Sequence, residues 1–463
     1  MKIKWSGEIF SSSGTRADAM GGSISTLYPG AEAISWNPAG LGFAHGFHLT
    51  LDWAPAFTID PGGLLGIENG INDALTQTAE NNSPSGVVAP GTVEDAVVNS
   101  ALDMRGGLKG GAFLYGNPVF AVAAAFHEPF RLESQLTMSG TEFNAVALND
   151  DGDVTHRIFG TVNGNFNLEI TFLSSSVAFG TRITPDLSFG MAYDNFNVDQ
   201  TFEGTTLPEG IISASGTETF FNDPQKIQYD SLYARIKGNW EGSGFRFRWG
   251  LGYHVNPDLS LDAVFVMPMS ISVSGPFSMV HNNIRALNLG AGEDEEVFDI
   301  DVLVEDNLTK TEKRITKVPG MEFELPGSLS LGFSTRWQNY LASLVYVKHF
   351  DHAGYKLAYE QFDSLNVKIK GGNVHQGVNL GSTFRLGIGV EQLILGLGVV
   401  FGETFDKEVV DSKAEPKIGA NKKFLIPLFS LGGGFKISSR FRLDYIVSPY
   451  YSSFLRFSTS YRL

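Results

Sequence analysis

Bulky apolar residues alternate with small or charged ones along most of this chain, the period of strands with two unlike faces. Phe245, Phe247, Trp249, Leu251 and Tyr253 are separated by Arg246, Arg248, Gly250 and Gly252. Leu329, Leu331, Phe333, Thr335 and Trp337 alternate with Ser330, Gly332, Ser334 and Arg336, and Phe384, Leu386, Ile388 and Val390 with Arg385, Gly387 and Gly389. The chain ends the same way, with Leu455, Phe457, Thr459, Tyr461 and Leu463 around Arg456, Ser458, Ser460 and Arg462. Short turn signals stand at Gly116-Asn117, Thr184-Pro185-Asp186, Asn256-Pro257, Gln338-Asn339-Tyr340, Glu391-Gln392 and Ser438-Ser439. Between them lie long polar stretches, 56–106, 134–165, 203–242, 276–324, 353–375 and 405–423, and a tight break at Ser448-Pro449. Short turns alternating with outer connections predict about 14 antiparallel strands, with both termini on the short-turn side.

A soluble sandwich would pack the bulky face inward at crystal-like density, and the period alone leaves that fold open. Composition favours the inverse arrangement, with aromatics outward to lipid and Gly, Ser and Arg inward to a wet lumen. Glycine is 53 of 463 residues, Phe alone is 36, and charged residues are only 18 %. No apolar run is long enough for a helical membrane span. Cysteine is absent, which excludes disulfides, thiolate metal sites and cysteine catalysis. A net charge of −16 argues against nucleic acid as a partner. The expected fold is therefore all-β, an antiparallel transmembrane β-barrel that closes every strand edge.

Other features add little chemistry. Glu293-Asp294-Glu295-Glu296, followed by Asp299, Asp301, Glu305 and Asp306, reads as a solvated acidic run, with divalent-ion binding as the functional alternative. Segment 64–104 spaces its apolar residues at helical intervals, predicting short amphipathic helices on the outer rim. His349 and His352 flank Asp351 without a partner spacing for zinc. No G-x-S-x-G elbow is present, so the chain is read as a non-enzyme with neither metal nor cofactor.

Residues 1–45 do not alternate. They run Phe10-Ser11-Ser12-Ser13-Gly14, then Arg16-Ala17-Asp18-Ala19-Met20-Gly21-Gly22, then Trp36-Asn37-Pro38-Ala39-Gly40-Leu41. A lumen this wide is either a channel or plugged, and a glycine-punctuated segment ahead of the first strand is placed to fold inward. The order of these pieces resembles the N-terminal signature of FadL-type outer-membrane transporters of fatty acids and hydrocarbons. Ser176-Val177-Ala178-Phe179-Gly180, Thr184-Pro185-Asp186-Leu187-Ser188-Phe189-Gly190 and Leu325-Pro326-Gly327-Ser328-Leu329-Ser330-Leu331-Gly332 continue the resemblance along the chain. It implies a hatch over residues 1–45 inside a 14-stranded barrel over 46–463, with Gly21, Gly22, Asn37, Pro38 and Ala39 as the hatch motif. Pro38 fixes its own φ and biases Asn37 toward an extended backbone. These residues either shape the plug alone or also meet ligand. The ending Tyr461-Arg462-Leu463 departs from the aromatic residue that commonly closes such barrels.

The resemblance further implies transport of hydrophobic small molecules, with outer-membrane lipid and lipopolysaccharide around the barrel. Pro129, near the outer end of the third strand, stands where the family carries a wall kink, and proline cannot donate a ladder hydrogen bond. It is the candidate lateral opening, with an ordinary strand end as the alternative. Arg182, Arg246, Arg248, Arg336 and Arg385 point inward by parity and are candidate holders of a ligand carboxylate. Asp194, Asp262, Glu391 and Asp444 point inward too, so internal salt bridges explain the same cations. The rival function is a FadL-like barrel of the PorV type, which binds secreted proteins through its long outer stretches as part of a secretion apparatus. Met1 to Trp5 precede no apolar run, so the signal peptide that an outer-membrane barrel needs is expected in a precursor.

Overall fold

A computed structural model describes residues 14–59, 88–89, 97–104, 106–148, 154–214, 217–221, 233–284, 311–410, 417–418, 421–448 and 455–463. Every strand pairing is antiparallel, and the ring closes where Gly46–Ala54 pairs with Leu455–Arg462. Fourteen staves result. They are β1 (Gly46–Ala54, Phe57–Ile59), β2 (Val88–Ala89, Val97–Met104, Gly107–Gly116), β3 (Phe120–Leu148), β4 (Val154–Arg182) and β5 (Leu187–Ala214). β6 (Thr217–Phe221, Tyr233–Asn256), β7 (Leu259–Val266, Met269–Ser274, Phe277–Ile284), β8 (Thr311–Lys317, Gly320–Leu325, Gly327–Trp337) and β9 (Tyr340–Phe350, Ala353–Phe362) follow. β10 (Lys368–Val390), β11 (Leu393–Val410), β12 (Lys417–Ile418, Lys423–Lys436), β13 (Phe441–Val447) and β14 (Leu455–Arg462) complete it.

The turns form for local reasons. Asn117 Oδ1 accepts from the backbone of Val119 and Phe120. Asn256 Oδ1 accepts from Asp258 N, and Ser438 Oγ from Arg440 N and Phe441 N. Such side-chain mimicry of a backbone turn is why Asn and Ser mark these positions. The faces follow the alternation. Leu51, Trp53, Phe113, Phe245, Leu251, Leu331, Phe384 and Phe429 are exposed on the outside, an apolar belt suited to lipid. No helix among the described residues is long and apolar enough to cross a membrane.

Two expectations change. Strand pairing runs well into the polar stretches, since β3 continues to Leu148 and β5 to Ala214. On the inner face there, Leu168, Phe172, Val198, Trp240, Ile271 and Phe323 pack into one buried cluster. The outer part of the lumen beside β4–β9 is thus apolar and dry, not uniformly wet as expected. Val97–Met104 is a strand and not part of an amphipathic helix, because it pairs with Ser134–Ser139. Residues 64–87, the acidic run 293–306 and Phe10 to Ser13 lie outside the described residues.

From Gly14 to Phe43 the chain forms short helical turns at Arg16–Ala19, Ala33–Trp36 and Pro38–Phe43 that pack against the wall strands. It is tied to strands on opposite sides. Arg456 of β14 pairs with Asp18 at 2.9 Å, both fully buried. Thr26 Oγ1 donates to Asp262 of β7 at 2.7 Å, Gly14 N to Asp52 of β1 at 2.9 Å, and Ser430 Oγ of β12 to the Asp18 carbonyl at 3.1 Å.

Candidate functional site

The Asn-Pro-Ala element seats on glycines of the wall. Asn37 is extended, with φ −145°, and caps the turn after it by accepting from Ala39 N at 3.1 Å. Its amide donates to the carbonyls of Ile24 and Leu251, and Ser188 Oγ of β5 donates to the Ala39 carbonyl at 2.9 Å. A Cβ on Gly190 of β5 would collide with the Pro38 backbone, and one on Gly250 of β6 with the Asn37 side chain. Gly250→Val is therefore expected to lower barrel stability by about 1–3 kcal/mol, the usual cost of overpacking. Heat-dependent gel mobility of the folded barrel checks it, and an unchanged midpoint would remove the seat from the argument. Gly21 and Gly22 have φ of 72° and 83°, the left-handed region open mainly to glycine. They turn the chain against β10, where Gly21 lies close to the Leu386 carbonyl and Gly22 to the Arg385 guanidinium.

Above this segment is a cavity of about 190 Å³. Gly22, Ile24, Ser35 and Trp36 form its floor, and Val264, Val266, Val345, Val347 and Leu380 line an apolar side. Phe196 and Leu325 belong both to the cavity and to the buried apolar cluster beyond it, so the two are continuous. Arg246, Arg248 and Arg385 line it as well, Arg248 opposite Val266 and Arg385 opposite Val345 in the strand register. Asp194 meets Arg248 at 2.7 Å through both of its oxygens, Arg246 at 3.4 Å and Ser176 Oγ at 2.6 Å. Arg248 also donates to the Ser35 carbonyl on the floor. Of the five arginines, the other two stand at the short-turn end. Arg182 lies over the Phe43 ring at 5.2 Å, and Arg336 pairs with Asp258 at 3.0 Å.

Pro129 lines the same cavity. It lies in the first third of β3, not near the end of that strand, because β3 continues beyond it. Two irregularities meet there. Against β4 the register slips between His127 and Phe130, so Glu128 and Pro129 form a bulge. Against β2 the ladder pairs Gly110–Gly116 with Ala121–His127 and Val97–Leu102 with Ser134–Ser139, with none between among the described residues. Lys109 of β2 bridges the lapse to Glu128 at 2.6 Å, and on the other side of β3 Arg131 pairs with Glu169 of β4 at 2.5 Å. Proline's missing donor explains the bulge. The matching lapse in β2, at Gly106 and Gly107, was not foreseen; the adjacent glycines were its signal, and Gly107 has φ 123°.

No family model matches the chain, and neither does any curated protein. Solved structures do. The Pseudomonas putida toluene transporter TodX is similar with a TM-score of 0.50 and 15 % identity, over 98 % of each chain. The Ralstonia pickettii toluene transporter TbuX gives 0.48 at 14 % identity, over 97 % of this chain and 98 % of that one. A Pseudomonas aeruginosa FadL homologue gives 0.46 at 10 % identity, over 98 % and 99 %. The chain has the fold of FadL-type hydrocarbon transporters, a 14-stranded transmembrane β-barrel.

Proposed function

We propose that this barrel carries apolar small molecules across a bacterial outer membrane, from the outer lumen to an opening in its wall. The observation that carries the reading is the cavity at Pro129, which joins a dry apolar cluster on one side and a lapse in the ladder on the other. In this reading residues 1–45 are a hatch that blocks the straight path, so a greasy solute leaves sideways between β2 and β3. Arg246, Arg248 and Arg385 sit where a carboxylate head would rest while the tail lies along Val264, Val345 and Leu380. Because Asp194 already holds two of these cations, long-chain fatty acids and uncharged hydrocarbons both suit the site. TodX is described as a toluene transporter, which supports the hydrocarbon arm. The protein-binding alternative rests on outer stretches such as 276–324, and nothing in the site favours it.

Cells lacking their own such barrel, supplied with this one, are expected to accumulate labelled long-chain fatty acids, alkanes or monoaromatics above the empty-vector level. Absence of uptake for every member, with the barrel shown folded and inserted, would sink transport and return attention to protein partners of the outer stretches.

A further inference from the structure

Three side chains from three strands converge on the outer face of the barrel. Glu324 comes from β8, His352 from the bend within β9, and His375 from β10. Glu324 Oε2 lies 2.5 Å from His352 Nε2 and 2.8 Å from His375 Nε2, and the two imidazole nitrogens are 3.1 Å apart. Asp351 Oδ1 sits 2.7 Å from the other nitrogen of His352. Three atoms able to act as metal ligands thus crowd one point, with the Asp351 carboxylate holding His352 from its far side.

The surroundings fit an ion. Lys356 occupies Glu324 Oε1, which leaves Oε2 for the shared point. Phe405 packs edge-on against both imidazoles, at 5.1 and 4.8 Å, and closes one side. All three ligating side chains are partly exposed, so solution reaches them. Asp351 has φ 70°, a strained conformation that presents its carboxylate to His352. The cluster lies just past Phe350 on β9, beside the charged side chains of Asp351 and Lys356.

We propose that Glu324, His352 and His375 bind a divalent transition-metal ion of the zinc class, with Asp351 as the residue that positions His352. Two imidazoles and one carboxylate are a borderline-soft donor set that suits Zn²⁺ and leaves a fourth position for water. A carboxylate on the outer nitrogen of a ligating histidine fixes its tautomer and raises its basicity. The bound ion ties β8, β9 and β10 together. The site is independent of what the lumen carries.

The test uses the whole barrel, prepared without a histidine tag and dialysed against Zn²⁺, with the metal measured by elemental analysis. One Zn²⁺ per barrel is expected. His352→Ala, His375→Ala and Glu324→Gln are each expected to weaken binding at least tenfold, and Asp351→Asn by about tenfold through its positioning role. Co²⁺ in place of zinc supplies the second readout: visible bands of a low-coordinate site, weakened and shifted by Asp351→Asn and absent in the double variant His352→Ala/His375→Ala. Heat-dependent gel mobility confirms that each variant is folded. Failure of the native barrel to hold one equivalent would overturn the proposal. So would equal binding by the folded double variant, which would place the metal elsewhere.

Discussion

A disulfide between Lys109→Cys and Glu128→Cys is expected to cut uptake of a labelled apolar solute at least tenfold under oxidising conditions, with recovery on reduction. The pair continues the register of Gly110 with His127, one step into the lapse between β2 and β3. Their side chains already meet as an ion pair at 2.6 Å. Cα atoms opposite each other in an antiparallel pair lie at about 4.5–5.5 Å, within the range a disulfide spans. The native chain has no cysteine, so no other thiol competes. The bond pins β2 to β3 where backbone hydrogen bonds do not, and it borders the cavity at Pro129. If solute leaves sideways through this break, the oxidised barrel is closed and the reduced one open. Equal uptake in both states, with the disulfide verified by mass, would remove the lateral opening from the mechanism. It would leave transport itself standing by another route. Replacing Lys109 and Glu128 with serines separates loss of the ion pair from the crosslink, and that variant is expected to transport.

Much of the barrel was legible because turn chemistry and period-two alternation are local. Asn117, Asn256 and Ser438 mark their turns through hydrogen bonds within three residues. The extended backbone of Asn37 followed from Pro38 for the same reason. What was not legible depends on partners far away in the chain. Phe172 and Phe323 sit in or beside stretches that read as polar connections, yet their rings meet at 5.7 Å across the lumen. Val97 to Met104 has loosely helical apolar spacing but takes its structure from the strand it pairs with. Glu324, His352 and His375 show no spacing of a metal site, because the register of three strands brings them together. Arg246 and Arg248 were recognised as inward cations, but only the fold assigns both to Asp194.

That assignment supports the other large expected effect. Arg248→Met is expected to destabilise the folded barrel by about 3–5 kcal/mol, the usual cost of breaking a buried ion pair by removing one partner. Arg248 is 5 % exposed and Asp194 only 2 %, so water cannot replace the lost guanidinium well. Arg246 remains near the carboxylate but at 3.4 Å, against the two 2.7 Å contacts that Arg248 supplies. The same substitution removes the hydrogen bond that Arg248 donates from the wall to the Ser35 carbonyl. Methionine keeps much of the side-chain length, so the effect isolates charge and hydrogen bonding from packing. Two readouts follow: a lower midpoint in heat-dependent gel mobility, and faster proteolysis within residues 14–45. A stability loss without faster proteolysis would mean that Asp18 with Arg456 and Thr26 with Asp262 hold the segment unaided. No change in either would mean that the pair is not buried in the membrane-inserted protein, and the cation end of the cavity would then be open to ligand and water alike.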